Sequence, residues 1–79
     1  MADNKKDTSE PLRKFAEKIL EIRLKREMSQ MDVGARIGID RENIRKYEKG
    51  LQEPRLSTIV KFAEAFEIDY NELLGYEKE

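Results

Sequence analysis

The apolar positions of this chain fall into helix-period groups. Leu12, Phe15, Ile19 and Ile22 recur at spacings of three and four, and Ala16 and Leu20 widen the stripe. Charged residues fill the other face, so the pattern predicts an amphipathic helix from about residue 10 to about residue 27. Ser9 is a good N-cap, and Pro11 lies in the first turn, where its missing N–H costs little. A second start follows at Ser29, with Asp32 three residues on in the manner of a capping box. Val33 and Ile37 are spaced by four, and Gly38 ends a short helix over residues 30–37. Asp40 then caps a third helix, from Arg41 to about Lys49, with Gly50 behind it. After a loop containing Pro54, Ile59, Phe62, Ala63 and Phe66 mark a fourth helix over residues 56–66. Asp69 and Glu72 open a last short helix through Leu74, ended by Gly75. With no strand alternation and no repeat, the expected fold class is all-α, with five helices.

Residues 30–48 carry the most information. Two short helices joined by about three residues cannot lie side by side, so they must cross steeply with their backbones close together. A close crossing needs a small residue, and Gly34 supplies one despite costing about 1 kcal/mol relative to alanine inside a helix. The bend needs a residue that tolerates positive φ, and Gly38 supplies that. Val33, Ile37, Ile39, Ile44 and Tyr47 tie both helices to a core. These are the requirements of a helix-turn-helix, whose second helix enters the DNA major groove.

The rotation of about 100° per residue puts Ile44, Tyr47 and Glu48 on the inward arc of helix three. Glu42, Arg45, Lys46 and Lys49 lie opposite, flanked by Arg41 and Asn43. The N-terminal part of such a helix reaches base edges. The base-reading candidates are therefore Arg41, Glu42 and Lys46, followed by Asn43 and Arg45. Arg41 or Lys46 would donate to guanine, and Glu42 would accept from cytosine. Gln30, at the N-terminus of helix two, suits a phosphate. Lys49 and Arg55 flank the groove as further phosphate contacts, with Ser29, Arg36 and Lys25 weaker candidates. Glu48, on the inward edge, needs a partner for its carboxylate.

Composition narrows the alternatives. The 79 residues are 38% hydrophobic and 42% charged, with neither cysteine nor histidine. Disulfides, Cys/His zinc sites and Ser-His-Asp chemistry are therefore excluded. No arrangement of carboxylates, lysines and hydroxyls suggests catalysis, so no enzyme, cofactor, metal or small-molecule ligand is expected. No run approaches the roughly 18 apolar residues of a membrane span, and the first residues do not resemble a signal peptide, so a cytoplasmic location is expected. The net charge of −1 is not that of a typical nucleic-acid binder. Its distribution is uneven: residues 1–30 carry +2, residues 31–56 carry +1 and residues 57–79 carry −4. An acidic end of this kind would sit away from a polyanion.

The stretch from Ser29 through Asp40, then Ile44-Arg45-Lys46-Tyr47-Glu48-Lys49-Gly50, Pro54 and the Ile59–Leu74 pattern resembles the phage-repressor and Cro family of helix-turn-helix proteins, the XRE family. The similarity spans residues from about 12 to 74. It implies a compact five-helix lambda-repressor-like DNA-binding domain with its helix-turn-helix at helices two and three. A flexible arm (1–8) and a short tail (77–79) would flank a domain over residues 9–76. It further implies a homodimeric, repressor-like regulator on a partly palindromic operator in double-stranded DNA. The resemblance pairs Glu48 with Arg23 as a structural ion pair and has Gln30 brace the recognition helix. The sequence departs from the pattern at Val33-Gly34, at Asp40, where Ser or Thr is common, and at Glu67, where glycine or asparagine often ends helix four. Phe66, Ile68, Tyr70, Leu73, Leu74 and Tyr76 exceed what so small a core requires. They form a dimer interface, or else they cap the core. The alternative function is a protein-interaction module or antitoxin-type subunit that keeps the fold with weak or no DNA binding.

Overall fold

The computed structural model describes residues 9–75. Helix α1 spans Glu10–Lys25, α2 Gln30–Ile37, α3 Arg41–Glu48, α4 Leu56–Phe66 and α5 Tyr70–Leu74. Among the described residues there is no strand. The expected arm (1–8), Tyr76 and the tail (77–79) lie outside the described residues.

Local side-chain chemistry sets most helix starts. The Ser9 hydroxyl accepts from the Leu12 N–H at 3.3 Å. Ser29 and Asp32 form a full capping box, each side chain accepting from the other's backbone N–H at 2.9 Å. Asp40 accepts from the Asn43 N–H at 2.9 Å, and Asp69 from Asn71 at 3.0 Å. Helix α4 starts at Arg55 with no side-chain cap.

Two helices stop one or two residues before the expected ends, about residue 27 and about Lys49. α1 ends at Lys25 because Arg26 leaves helical geometry and Glu27 takes a left-handed conformation, φ 56°. The Met28 N–H then closes the turn onto the Arg23 carbonyl at 3.1 Å. α3 ends at Glu48, with Lys49 as its cap and the Leu51 N–H bonding back to the Lys46 carbonyl at 2.9 Å.

The core gathers Phe15, Ile19 and Ile22 from α1, Val33 and Ile37 from α2, and Ile44 and Tyr47 from α3, with Phe62, Ala63, Phe66 and Leu73 from α4 and α5. Phe15, Tyr47 and Phe62 meet edge to face, with ring centroids 5.5–6.3 Å apart. Such pairs contribute about 0.5–1.5 kcal/mol each beyond area burial. α1 packs on α3 and α5, while α4 packs on α2 and α5. Phe66 and Leu73, expected at a dimer surface, are instead 1% and 0% exposed. The ring of Phe66 closes the core beside Phe62, and Leu73 joins the same cluster, so neither has surface left for a partner. Ile68 and Leu74 are half-buried against the core, and Tyr70 stays exposed.

Candidate nucleic-acid interface

The bend between α2 and α3 is built from backbone. Gly38 is left-handed at φ 78°. The Gly34 carbonyl accepts from both Gly38 and Ile39 N–H groups, at 2.7 and 2.8 Å. A Cβ on Gly34 would overlap the Ile39 carbonyl oxygen, so the bend packs against α2 with no room for a side chain at this position. Ile44 and Tyr47 anchor the inner side of α3, which fixes what its outer side presents.

A part-buried polar cluster holds α3 from behind. Arg23 donates through Nε to Glu48 at 2.6 Å and through a terminal nitrogen at 3.1 Å. Its other terminal nitrogen donates to the Met28 carbonyl at 2.8 Å. Gln30 Nε2 donates to the same Glu48 carboxylate at 3.0 Å. The Glu48 side chain is only 5% exposed, so this charge is satisfied by three hydrogen bonds from α1 and α2. Gln30 therefore joins α2 to α3, with one amide hydrogen committed to Glu48.

On the outer face of α3, Arg41 and Glu42 are exposed, while Asn43, Arg45 and Lys46 are half-exposed. Arg45 forks onto Glu42, its terminal nitrogen 2.6 Å from one carboxylate oxygen. The Arg45 hydrogen bond holds the Glu42 carboxyl below its ordinary range, and Glu42 raises Arg45 in turn. These two groups face each other before any ligand arrives. Arg41 and Lys46 make no ion pair or side-chain hydrogen bond within the described residues. The same holds for Arg36, Lys49 and Arg55, all exposed. Ser29 is exposed, but its hydroxyl and N–H are both engaged with Asp32. Asp32 in turn is held below the usual aspartate range, first by the Ser29 backbone N–H and then by its hydroxyl.

The structure adds a residue for which the sequence carries no signal. Arg26 donates to the Phe66 carbonyl at 2.7 Å and lies over the Phe66 ring at 5.6 Å. From just past the end of α1 it thereby closes the C-terminus of α4, where a cation is favoured. No local spacing marks a contact between residues forty apart. The Glu42–Arg45 pair did have a signal, since acid and base three apart on a helix are neighbours.

Two short helices crossing at a glycine bend, the second presenting cations outward, define a DNA-binding helix-turn-helix. The Helix-turn-helix family model matches residues 19–73, and the chain belongs to that family, in its XRE form. It is similar to the cryptic phage CTXphi transcriptional repressor RstR of Vibrio cholerae, at 35% identity over 61 residues. That match takes in 77% of this chain and 55% of the repressor, so the chain spans about half the length of that relative. The restriction-modification controller protein C.AhdI from Aeromonas hydrophila superposes with a TM-score of 0.74 and 32% identity, covering 78% of this chain and 94% of that one. A hypothetical transcription factor, NHTF, from Neisseria shares the fold, with a TM-score of 0.76, 23% identity, and coverage of 94% and 82%. The family, the phage repressor and the controller protein point to a DNA-binding regulator rather than an enzyme. No helix among the described residues is long and apolar enough to cross a membrane.

Proposed function

We propose that this protein is a sequence-specific, repressor-like regulator of transcription in the cytoplasm. It binds a partly palindromic operator as a homodimer, with α3 in the major groove. The observation that carries the reading is the pair of cations, Arg41 and Lys46, in no ion pair among the described residues, on the outer side of a helix anchored by Arg23, Gln30 and Glu48. Arg41 and Lys46 donate to guanine edges, and Asn43 lies beyond Lys46 around the helix. Glu42 and Arg45 reach bases only as a pair or after separating. Gln30, Lys49 and Arg55 contact phosphates, with Arg36 and Ser29 peripheral. The similarity to a phage repressor and to a controller protein supports regulation of transcription as the outcome.

Selection of bound duplexes from a random pool at about 100 mM salt tests this reading. The expected result is a two-fold-symmetric motif that weakens or relaxes in Arg41→Ala and Lys46→Ala. Removing one bidentate pairing with a base should cost about 1–3 kcal/mol of discrimination. The outer-face carboxylate of Glu42 and the net charge of −1 favour a second reading, a protein-interaction module of the same fold. Selection without enrichment would overturn the DNA-binding reading and favour that one instead.

A further inference from the structure

The outer face of α3 carries a charge of the wrong sign for a polyanion. A turn of about 100° per residue puts Glu42 almost opposite the buried Ile44 and Tyr47, so this carboxylate stands at the most outward point of the helix's first turn. An acid in a first turn suits the helix dipole, but Asp40 already caps that end. A bare carboxylate there would repel phosphates, and this one is not bare.

Arg45 holds Glu42 in a way that leaves both groups able to bond further. Its Nη2 donates to Oε2 of Glu42 at 2.6 Å. Its Nε is shared between Oε2 at 3.2 Å and Oε1 at 3.3 Å. Oε1 thus has only one long hydrogen bond, and Nη1 of Arg45 has none among the described residues. A guanidinium carries more donors, and an ionised carboxylate more lone pairs, than this pair consumes. Both side chains are open to solvent, Glu42 60% and Arg45 39% exposed. The carboxyl, held below its ordinary range by the Arg45 hydrogen bond, stays ionised near neutral pH and can only accept. The pair therefore presents an acceptor and a donor side by side, about one hydrogen-bond length apart.

We propose that Glu42 and Arg45 act as one reader that selects a C·G base pair, the Glu42 carboxylate accepting from cytosine N4 while Arg45 donates to the guanine of the same pair. In the major groove a C·G pair sets the cytosine N4 donor beside the guanine O6 and N7 acceptors. N4 and O6 bond each other across the base pair, so they too lie one hydrogen-bond length apart. An A·T pair offers a donor and then an acceptor in the same order, but thymine has a single acceptor beside a methyl group where guanine has a pair of acceptors. T·A and G·C both set an acceptor against the carboxylate. The order of preference is C·G, then A·T, with T·A and G·C last. Arg45 also cancels the charge of Glu42 as the helix nears the phosphates, so the pair adds selectivity rather than attraction. Arg41 and Lys46 flank it around the helix.

This proposal rests on the DNA-binding reading and deepens it. Its test measures binding of the full chain to the duplex that selection yields, with each base pair placed in turn at every half-site position. Wild type should show a position where C·G exceeds T·A by about tenfold or more. Glu42→Ala and Arg45→Ala should each flatten the preference at that same position and leave the others unchanged. Arg45→Lys keeps the charge without the fork, so it should hold affinity for scrambled DNA while losing that preference. Glu42→Gln should bring A·T up to C·G or above it, because a Gln amide pairs with adenine N6 and N7. Both side chains lie off the core, so every variant should keep the helical circular dichroism of wild type. If the two alanine variants change different positions, the residues read separately and the proposal falls. It falls equally if neither changes any preference, since the pair is then a surface ion pair only. The DNA-binding reading survives both of those results. A wild type without sequence preference overturns that reading and, with it, the proposal.

Discussion

Alanine at position 34 would gain about 1 kcal/mol of helix propensity, yet its Cβ would overlap the Ile39 carbonyl, which belongs to the bend itself. Gly34→Ala is therefore expected to lower stability by at least about 1 kcal/mol in denaturant unfolding. Glu27 is the reverse case. It is held at φ 56°, where a side chain is strained and glycine is not. Glu27→Gly should raise stability by about 0.5–1 kcal/mol, less than the full strain because glycine also loosens the unfolded chain. Glu67, at φ 56° where the family often carries glycine or asparagine, has the same strain. The need for a small residue at 34 and for positive φ at 38 was legible in the sequence, because both follow from a three-residue connection. The strain at Glu27 was not, since no glycine or asparagine marks the left-handed turn between Ile22 and the Ser29 cap. Glu42 offers a pH test at the same scale. Its carboxyl lies below the ordinary glutamate range because Arg45 hydrogen-bonds it. A depressed carboxyl contributes stability above that range and loses it as pH falls through the folded value. In an NMR titration the Glu42 midpoint should rise toward the ordinary value in Arg45→Gln, while that of Asp32, held by Ser29, stays low.

Between elements, the Arg23–Glu48–Gln30 cluster does what propensity cannot: it sets the pose of α3 relative to α1 and α2. Removing one partner strands the other as a nearly buried charge. Arg23→Met should cost about 3–5 kcal/mol in chemical denaturation, and replacing Glu48 by methionine as well should recover much of that loss. If the single variant were neutral, solvent would be screening the cluster and the pose of α3 would rest on Ile44 and Tyr47 alone. The inward phase of Glu48 was legible from helix geometry. Its partner came from resemblance, because spacing says nothing of residues twenty-five apart. The same limit explains Phe66 and Leu73. Their apolar character was plain, but whether an apolar residue faces the core or a partner depends on how α4 and α5 pack on α1, which no local pattern encodes. Here the core absorbs both, and the outward apolar surface of that end reduces to Tyr70 with parts of Ile68 and Leu74.

At the scale of the whole molecule, a net charge near zero is reconciled with DNA binding by where the charges sit. Glu64, Glu67, Asp69 and Glu72 lie along α4, α5 and the turn between them, while Arg41, Lys46, Lys49 and Arg55, in no ion pair among the described residues, run from α3 to the residue before α4. A phosphate backbone approaching α3 meets the second group first. This separation divides the cations into two classes with different signatures. Lys49 and Arg55, as phosphate contacts, each release counterions on binding. Replacing either by alanine should weaken binding to all sequences alike and lower the slope of log K against log salt by about 0.9. Arg41 and Lys46, as base readers, should instead change the preferred sequence when removed and alter the salt slope less. Titrating an operator duplex and a scrambled duplex at several salt concentrations separates the two. A variant of Lys49 that relaxed sequence preference would place that side chain in the groove. The helix would then be seated deeper than its anchoring by Tyr47 and Glu48 allows.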